Sequence, residues 1–328
     1  MTRALPALAA AVALFAFAPL VGCGERFDRV DRGHQPPRPV LLALDFAPNP
    51  VHAGIYAAIA SRADRARGVA LRVRAPSAST DSLKLLTARR AEMAVADIQD
   101  LGLARERGEE IVGVGAVVQR PLAAVIARAP VRRPRDLEGR RVGVAGLPSD
   151  EAVLRAIVEA DGGRPGRVRA TTIGFSAVPA LVSGRVAAAT AFWNAEGVAL
   201  RERGVDTREF RVGEFAAPRY PELVLVVRRE TLERHRDRVE AALGAVRAGT
   251  EAALRDPGPA LAAIAAASGG DRALERAQFD AVRPALAPPV RLDRRALEGW
   301  AGFAERFGIL RSRPDVARAF DFEVAGPR

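Results

Sequence analysis

Apolar residues come in short continuous runs, and segments with apolar positions at helical spacing lie between them. Past the amino-terminal region the first run, residues 39–45 (PVLLALD), is short enough for a buried strand. Pro48, Asn49 and Pro50 make 46–51 a loop, and 52–62 regains a helical period. Strands are then predicted at 69–74, 92–97, 111–118 and 122–128. Helices at 80–90 and 99–107 separate the first three, the former capped by Ser79 or Thr80. Alternation with short links predicts an α/β fold with buried sheets.

Pro130 and Pro134 interrupt the alternation at 129–139, which reads as a crossing between lobes. A second unit follows, with strands 141–145, 167–173 and 185–191 and helices 149–160, 177–183 and 196–203. Strands near 208–212 and 222–228 close it, and 231–307 is mostly helical, punctuated by prolines. The expected organisation is a first lobe at 39–128, a second at 129–224 and a helical return to the first at 225–328. Two crossings imply a hinge and a cleft, and small ligands bind in such clefts at the carboxyl ends of strands.

The amino-terminal stretch has its own pattern. Arg3 precedes an apolar run at 4–20, and Leu20-Val21-Gly22-Cys23 follows. A basic start, an apolar core and small residues before a cut mark an export signal over 1–22. The tetrad resembles a bacterial lipobox, which makes Cys23 the lipidation point and 23–38, with Pro36 and Pro37, a tether. The other reading is an uncleaved anchor with an incidental cysteine. The implied place is the cell envelope, at the outer face of the cytoplasmic membrane.

Composition narrows the function classes. The formal charge of +11 invites a nucleic-acid reading. Lys84 is the single lysine, however, and the arginines are interspersed with acids; the densest patch, 132–141, has no aromatics for base stacking. No nucleic-acid partner is expected. Cys23 has no second cysteine to bridge to, and His34, His52 and His235 are far apart, so neither a disulfide nor a zinc site is expected. No nucleophile elbow, P-loop, S-x-x-K or H-E-x-x-H occurs. The chain is read as a binder with no catalytic residue, metal or cofactor.

Five loops carry candidate ligand-binding residues, and in each the same residues also have a structural use. In the first, Asp45, Phe46 and Asn49 precede a helix on which His52 and Tyr56 share a face; Asn49 caps or binds, Tyr56 packs or binds. Asp97 and Gln99 stand at the next strand-to-helix junction, Ser149 at a third and Phe175 at a fourth. The fifth holds Trp193, Asn194 and Glu196: an indole face for a flat ring, with an amide and a carboxylate to bond an amine. Tyr220, before the closing strand, reaches towards the same cleft.

Taken together, the motifs resemble the periplasmic-binding-protein superfamily, and within it the thiamine pyrimidine precursor-binding proteins related to yeast hydroxymethylpyrimidine synthase. The similarity rests on DFAPNP (45–50) with HAGIY (52–56), RPL (120–122), DLEG (136–139) followed by Val142-Gly143, VSGR (182–185) and YPELV (220–224). The resemblance implies a two-lobe type II periplasmic-binding fold with a hinge, an ABC permease and ATPase as partners, and an aminopyrimidine ligand. It further implies that Phe46, Tyr56 and Trp193 stack while Asn49, Asp97 and Glu196 bond. Riboflavin, taurine or a sulfonate is the alternative solute, with Arg120 and Arg219 as anion donors. An enzyme on the same scaffold is the other class. The yeast-type enzyme uses a cysteine cluster, and a lysine and a histidine near the segment that here reads 96–100; this chain has none of these there.

Overall fold

The computed structural model describes residues 36–77, 81–215 and 217–326. The predicted signal segment, Cys23, most of the tether and the Ser79/Thr80 cap lie outside the described residues.

Among the described residues, ten strands form two five-stranded sheets. In chain order they are β1 (Arg38–Ala43), β2 (Val69–Arg74), β3 (Met93–Asp97), β4 (Ile111–Ala116), β5 (Ala123–Arg128), β6 (Arg141–Val144), β7 (Arg169–Thr172), β8 (Ala188–Phe192), β9 (Thr207–Arg211) and β10 (Leu223–Arg228). The first sheet has the order β2-β1-β3-β10-β4, the second β7-β6-β8-β5-β9. β1, β2 and β3 are parallel, with β10 antiparallel to β3 and β4. β6, β7 and β8 are likewise parallel, with β5 antiparallel to β8 and β9. β3, β10 and the edge strand β4 are buried along nearly all their length, as continuous apolar runs require when both faces are covered.

Sheet membership corrects the expected lobe boundary. Residues 122–128 were assigned to the first lobe, but β5 hydrogen-bonds to β8 and β9 in the second sheet. The chain therefore crosses at 117–122 and returns between β9 and β10. Pro130 and Pro134 serve turns inside the second lobe, Pro134 opening the short helical turn Pro134–Leu137. A proline pattern marks a turn without saying what the turn joins. Each lobe's antiparallel strand is the one that begins directly after a crossing.

Helices in chain order are α1 (Ala53–Ala60), α2 (Asp81–Thr87), α3 (Ile98–Glu106), α4 (Pro148–Ala160), α5 (Ala177–Val182), α6 (Val198–Glu202), α7 (Val212–Phe215), α8 (Arg229–Arg234), α9 (Arg236–Arg255), α10 (Gly258–Ser268), α11 (Arg272–Val282), α12 (Arg294–Arg306) and α13 (Val316–Ala319). Aspartates start several: Asp97 accepts from Gln99 N, Asp271 from Ala273 N, Asp293 from Ala296 N and Asp315 from Ala317 N. The helical return packs on the first sheet. α9 crosses α1 so closely that a Cβ on Gly249 would stand 2.0 Å from Gly54 O, and one on Gly54 would stand 2.0 Å from Thr250 Oγ1. The glycine of the HAGIY motif is a helix-crossing residue.

Candidate functional site: a cavity between the two sheets

A cavity of about 340 Å³ lies between the sheets, at the strand-to-helix junctions of both. Seven of the predicted residues line it: Asp45, Phe46, Asn49, Asp97, Ser149, Phe175 and Glu196. His52, Tyr56, Gln99, Trp193, Asn194 and Tyr220 do not, and each has a structural reason.

In the first loop, Asn49 Oδ1 accepts from Val51 N (3.1 Å) and its amide donates to Ala47 O (3.0 Å). His52 is fully buried beneath it. Its Nδ1 accepts from Asn49 N (3.3 Å), so the ring hydrogen sits on Nε2 and is donated to Asp45 Oδ1 at 2.9 Å. His52 thus aims Asp45 at the cavity. Tyr56 packs in the core, where burial pushes its hydroxyl up to about 12.

At the second junction Asp97 caps α3 through Gln99 N (2.7 Å) and still faces the cavity. Gln99 points the other way: its amide donates to Tyr220 Oη (3.2 Å) and accepts from Trp300 Nε1 (2.9 Å), all three residues being fully buried. That network occupies both Gln99 and Tyr220. Asp100, one residue on, lines the cavity and accepts from Ser149 Oγ at 3.1 Å. This bond joins the first lobe to the second.

The second lobe supplies Asp150, which accepts from Leu147 N (3.0 Å) and Thr190 Oγ1 (3.3 Å). Phe175 meets Phe46 edge to face across the cleft, their ring centroids 4.3 Å apart. At the end of β8 the chain makes one π-helical turn, Trp193–Gly197, and Glu196 folds back to accept from Phe192 N (3.0 Å). The turn exposes Phe192 to the cavity and turns Trp193 away from it. The indole donates to Pro121 O (3.1 Å) and lies under the Arg211 guanidinium at 4.4 Å. Asn194 is fully buried, and neither amide atom has a partner. Phe192, and not Trp193, therefore lines the cavity.

The cavity is strongly acidic. Six carboxyl groups line it against two cations, Lys84 and Arg107. Burial, then Asp150, pushes Asp100 up to about 7; burial pushes Asp150 up to about 6 and raises Glu196 as well. Asp97 is raised well above the carboxylate range by burial first and Glu222 second. Carboxyl oxygens in such a wall can accept N–H hydrogens, and its phenyl rings offer flat apolar faces. Arg120 and Arg219 do not line it, and Arg219 donates to Gln119 O (3.3 Å). Among the described residues, no group of His, Cys, Asp and Glu is arranged to hold a metal ion. Asp100, Asp150, Thr190 and Phe192 were absent from the predicted set; three of them stand next to predicted residues at the same junctions.

A formylaminopyrimidine-binding protein of Halalkalibacterium halodurans is 32% identical over 225 residues, 68% of each chain. Among solved structures, the ligand-binding component of an ABC-type import system from Staphylococcus aureus aligns with a TM-score of 0.71 at 12% identity, covering 88% of this chain and 98% of that one. A desulfurization enzyme shares the fold, with a TM-score of 0.60 at 16% identity over 87% of this chain and 97% of that one. The family described as NMT1/THI5 like matches residues 49–260, and the chain belongs to that family.

Proposed function

We propose that this protein is the solute-capturing component of an ABC importer, and that its solute is an aminopyrimidine of the formylaminopyrimidine type. The observation that carries the reading is the acidic, phenyl-lined cavity between two lobes. An aminopyrimidine brings N–H donors to Asp45 and Glu196 and a flat ring to Phe46, Phe175 and Phe192. Sulfonates and taurine would place an anionic group among carboxylates, which disfavours them. The 32% identical relative named for a formylaminopyrimidine supports the same choice.

Capture proceeds by closure. Ligand that contacts both lobes favours the closed arrangement by its differential affinity, and a permease–ATPase pair reads that arrangement. Acylation at Cys23 holds the protein at the outer face of the cytoplasmic membrane. The protein acts without chemistry on its ligand.

Calorimetric titration of formylaminopyrimidine, hydroxymethylpyrimidine, thiamine, riboflavin and taurine tests the reading. Tight binding confined to the pyrimidines is expected, with the ligand recovered intact by mass spectrometry. Tight binding of taurine or riboflavin in their place overturns the choice of solute, and a chemically altered pyrimidine overturns the binder reading.

A further inference from the structure

The second sheet carries an arginine at the same end of every strand. Across the order β7-β6-β8-β5-β9, Arg169 and Arg141 begin their strands, Arg185 stands three residues before β8, Arg128 ends β5, and Arg208 is the second residue of β9. β5 runs antiparallel to both its neighbours, so its last residue and their first residues share one end. Arg141 and Arg169 are register partners, and Arg128 stands opposite Thr207, next to Arg208. Arg141 Nη1 also donates to Arg185 O (3.4 Å). Neighbouring strands lie about 4.8 Å apart, so the row runs about 20 Å across the lobe. Four of the five are exposed, and Arg128 is half-buried. Among the described residues none of the five is ion-paired; the ion pairs of this lobe engage Arg133, Arg164, Arg167, Arg201 and Arg211 instead. The matching end of the first sheet alternates in sign: Arg38 begins β1, Glu92 precedes β3, Arg228 ends β10 and Glu110 precedes β4. There Arg38 pairs with Asp237 (3.9 Å), Glu92 with Arg238 (3.0 Å) and Glu110 with Arg229 (3.0 Å). An arginine-rich composition does not by itself make such a row.

We propose that this row is a docking surface for an anionic phospholipid membrane. Like charges at paired positions destabilise a sheet, a cost that anions supplied by a partner offset. The charge is spread along a line across the whole sheet, which suits a plane of phosphate groups better than a single ion. Each guanidinium presents a fork of donors that matches phosphate oxygens. No aromatic residue stands next to any of the five in the chain, so single-stranded nucleic acid finds no stacking platform here. The row also lies at the opposite end of the sheet from the cavity: β8 runs from beside Arg185 to Phe192, which lines the cavity wall. A membrane lying on the row therefore leaves the cavity open to solute. The inference does not depend on which solute fills the cavity.

The test uses the full chain with vesicles of phosphatidylglycerol, which is anionic, or of phosphatidylcholine, which is neutral overall. The amino-terminal segment is common to every sample, so the row is read from the difference between the two lipids. Phenylglyoxal modification, mapped by mass spectrometry, is the first readout. Phosphatidylglycerol vesicles are expected to protect Arg141, Arg169 and Arg185, and phosphatidylcholine vesicles and free glycerol phosphate to leave them reactive. Affinity is the second readout. Each arginine at an anionic lipid surface strengthens binding about fivefold, so the triple variant Arg141→Gln, Arg169→Gln, Arg185→Gln should bind phosphatidylglycerol about a hundredfold more weakly and phosphatidylcholine unchanged. The triple variant Arg65→Gln, Arg72→Gln, Arg295→Gln removes the same charge from exposed positions of the first lobe and should keep the wild-type preference. Melting curves verify that both variants fold. The preference should also vanish as salt rises and screens the surface. Equal modification of the row on the two lipids overturns the proposal, as does an equal loss of affinity in the two triple variants, which would leave net charge as the cause. Protection by glycerol phosphate as complete as that by vesicles also overturns it, in favour of a site for a free anion.

Discussion

The crossing of α1 and α9 gives a sharp test, because two substitutions five residues apart should move stability in opposite directions. A Cβ at Gly249 would lie 2.0 Å from Gly54 O and 2.6 Å from Ala58 N, both backbone atoms of α1. Ordinary contact requires about 3.5 Å, so the helices must part by about 1.5 Å. Overpacking of a close core typically costs about 1–3 kcal/mol, and a collision with backbone lies at the upper end. Replacing a mid-helix glycine by alanine returns about 1 kcal/mol of helix propensity. The net loss for Gly249→Ala is then about 2 kcal/mol, a fall in Tm of roughly 3 °C for a chain of about 300 residues. Gly244→Ala is the control on the same helix: its Cβ meets only the side chain of Arg67, Nε at 3.2 Å and Cδ at 3.4 Å, and no backbone. It should be neutral or stabilise by up to about 1 kcal/mol. Because α1 begins directly after the Asp45–Asn49 loop, Gly249→Ala should also weaken ligand binding. Calorimetric melting of the two variants beside wild type decides the matter. A Gly249→Ala protein that melts at or above the wild-type temperature refutes the close crossing and the placement of the first loop that depends on it.

Trp193→Ala should lower Tm, through the lost Pro121 bond and Arg211 stack, yet leave ligand affinity within about twofold, whereas Phe192→Ala should weaken it; titration of both variants checks the exchange of roles. Asn194→Leu replaces two unpartnered buried amide atoms by apolar groups of similar volume, and each such atom costs about 1–3 kcal/mol, so a gain in Tm is expected and a clear loss would contradict it. Asp100 and Asp150 are protonated more readily folded than unfolded, so the folded state holds extra protons between about pH 4 and 7 and loses stability as pH rises through that window. Denaturant melts of ligand-free protein should show this fall, reduced in Asp100→Asn. The arginine-paired Asp161 titrates lower and gives the opposite slope only at more acidic pH.

What the chain disclosed before folding follows from how each signal is written. Strands such as β3 and β10 are apolar runs bounded by turns, so their existence and order were legible, and so was the rule that ligands meet the junctions after them. Partnership was not. The pattern of 122–128 is the same whichever sheet it joins, and Pro130 looks alike as a turn or as a crossing. Within the junctions, residue type pointed to the cavity wall but not to the direction of each side chain. Asp97 and Gln99 stand two apart on one junction; one faces the cavity and the other a buried Tyr220–Trp300 network contributed from more than 100 residues away. His52 and Tyr56 share a helical face, as spacing required, but that face is turned into the core by a glycine crossing that no spacing rule announces. Trp193 is singled out for chemistry its ring could perform, but a single π-helical turn puts its neighbour Phe192 in the cavity wall instead. Glu222 shows the limit most clearly. It stood inside a quoted motif, between Pro221 and an apolar strand, with nothing to distinguish it from a surface acid. Fully buried, it accepts from Leu122 N at 2.6 Å, a bond that exists only where two crossings, 100 residues apart in the chain, come together.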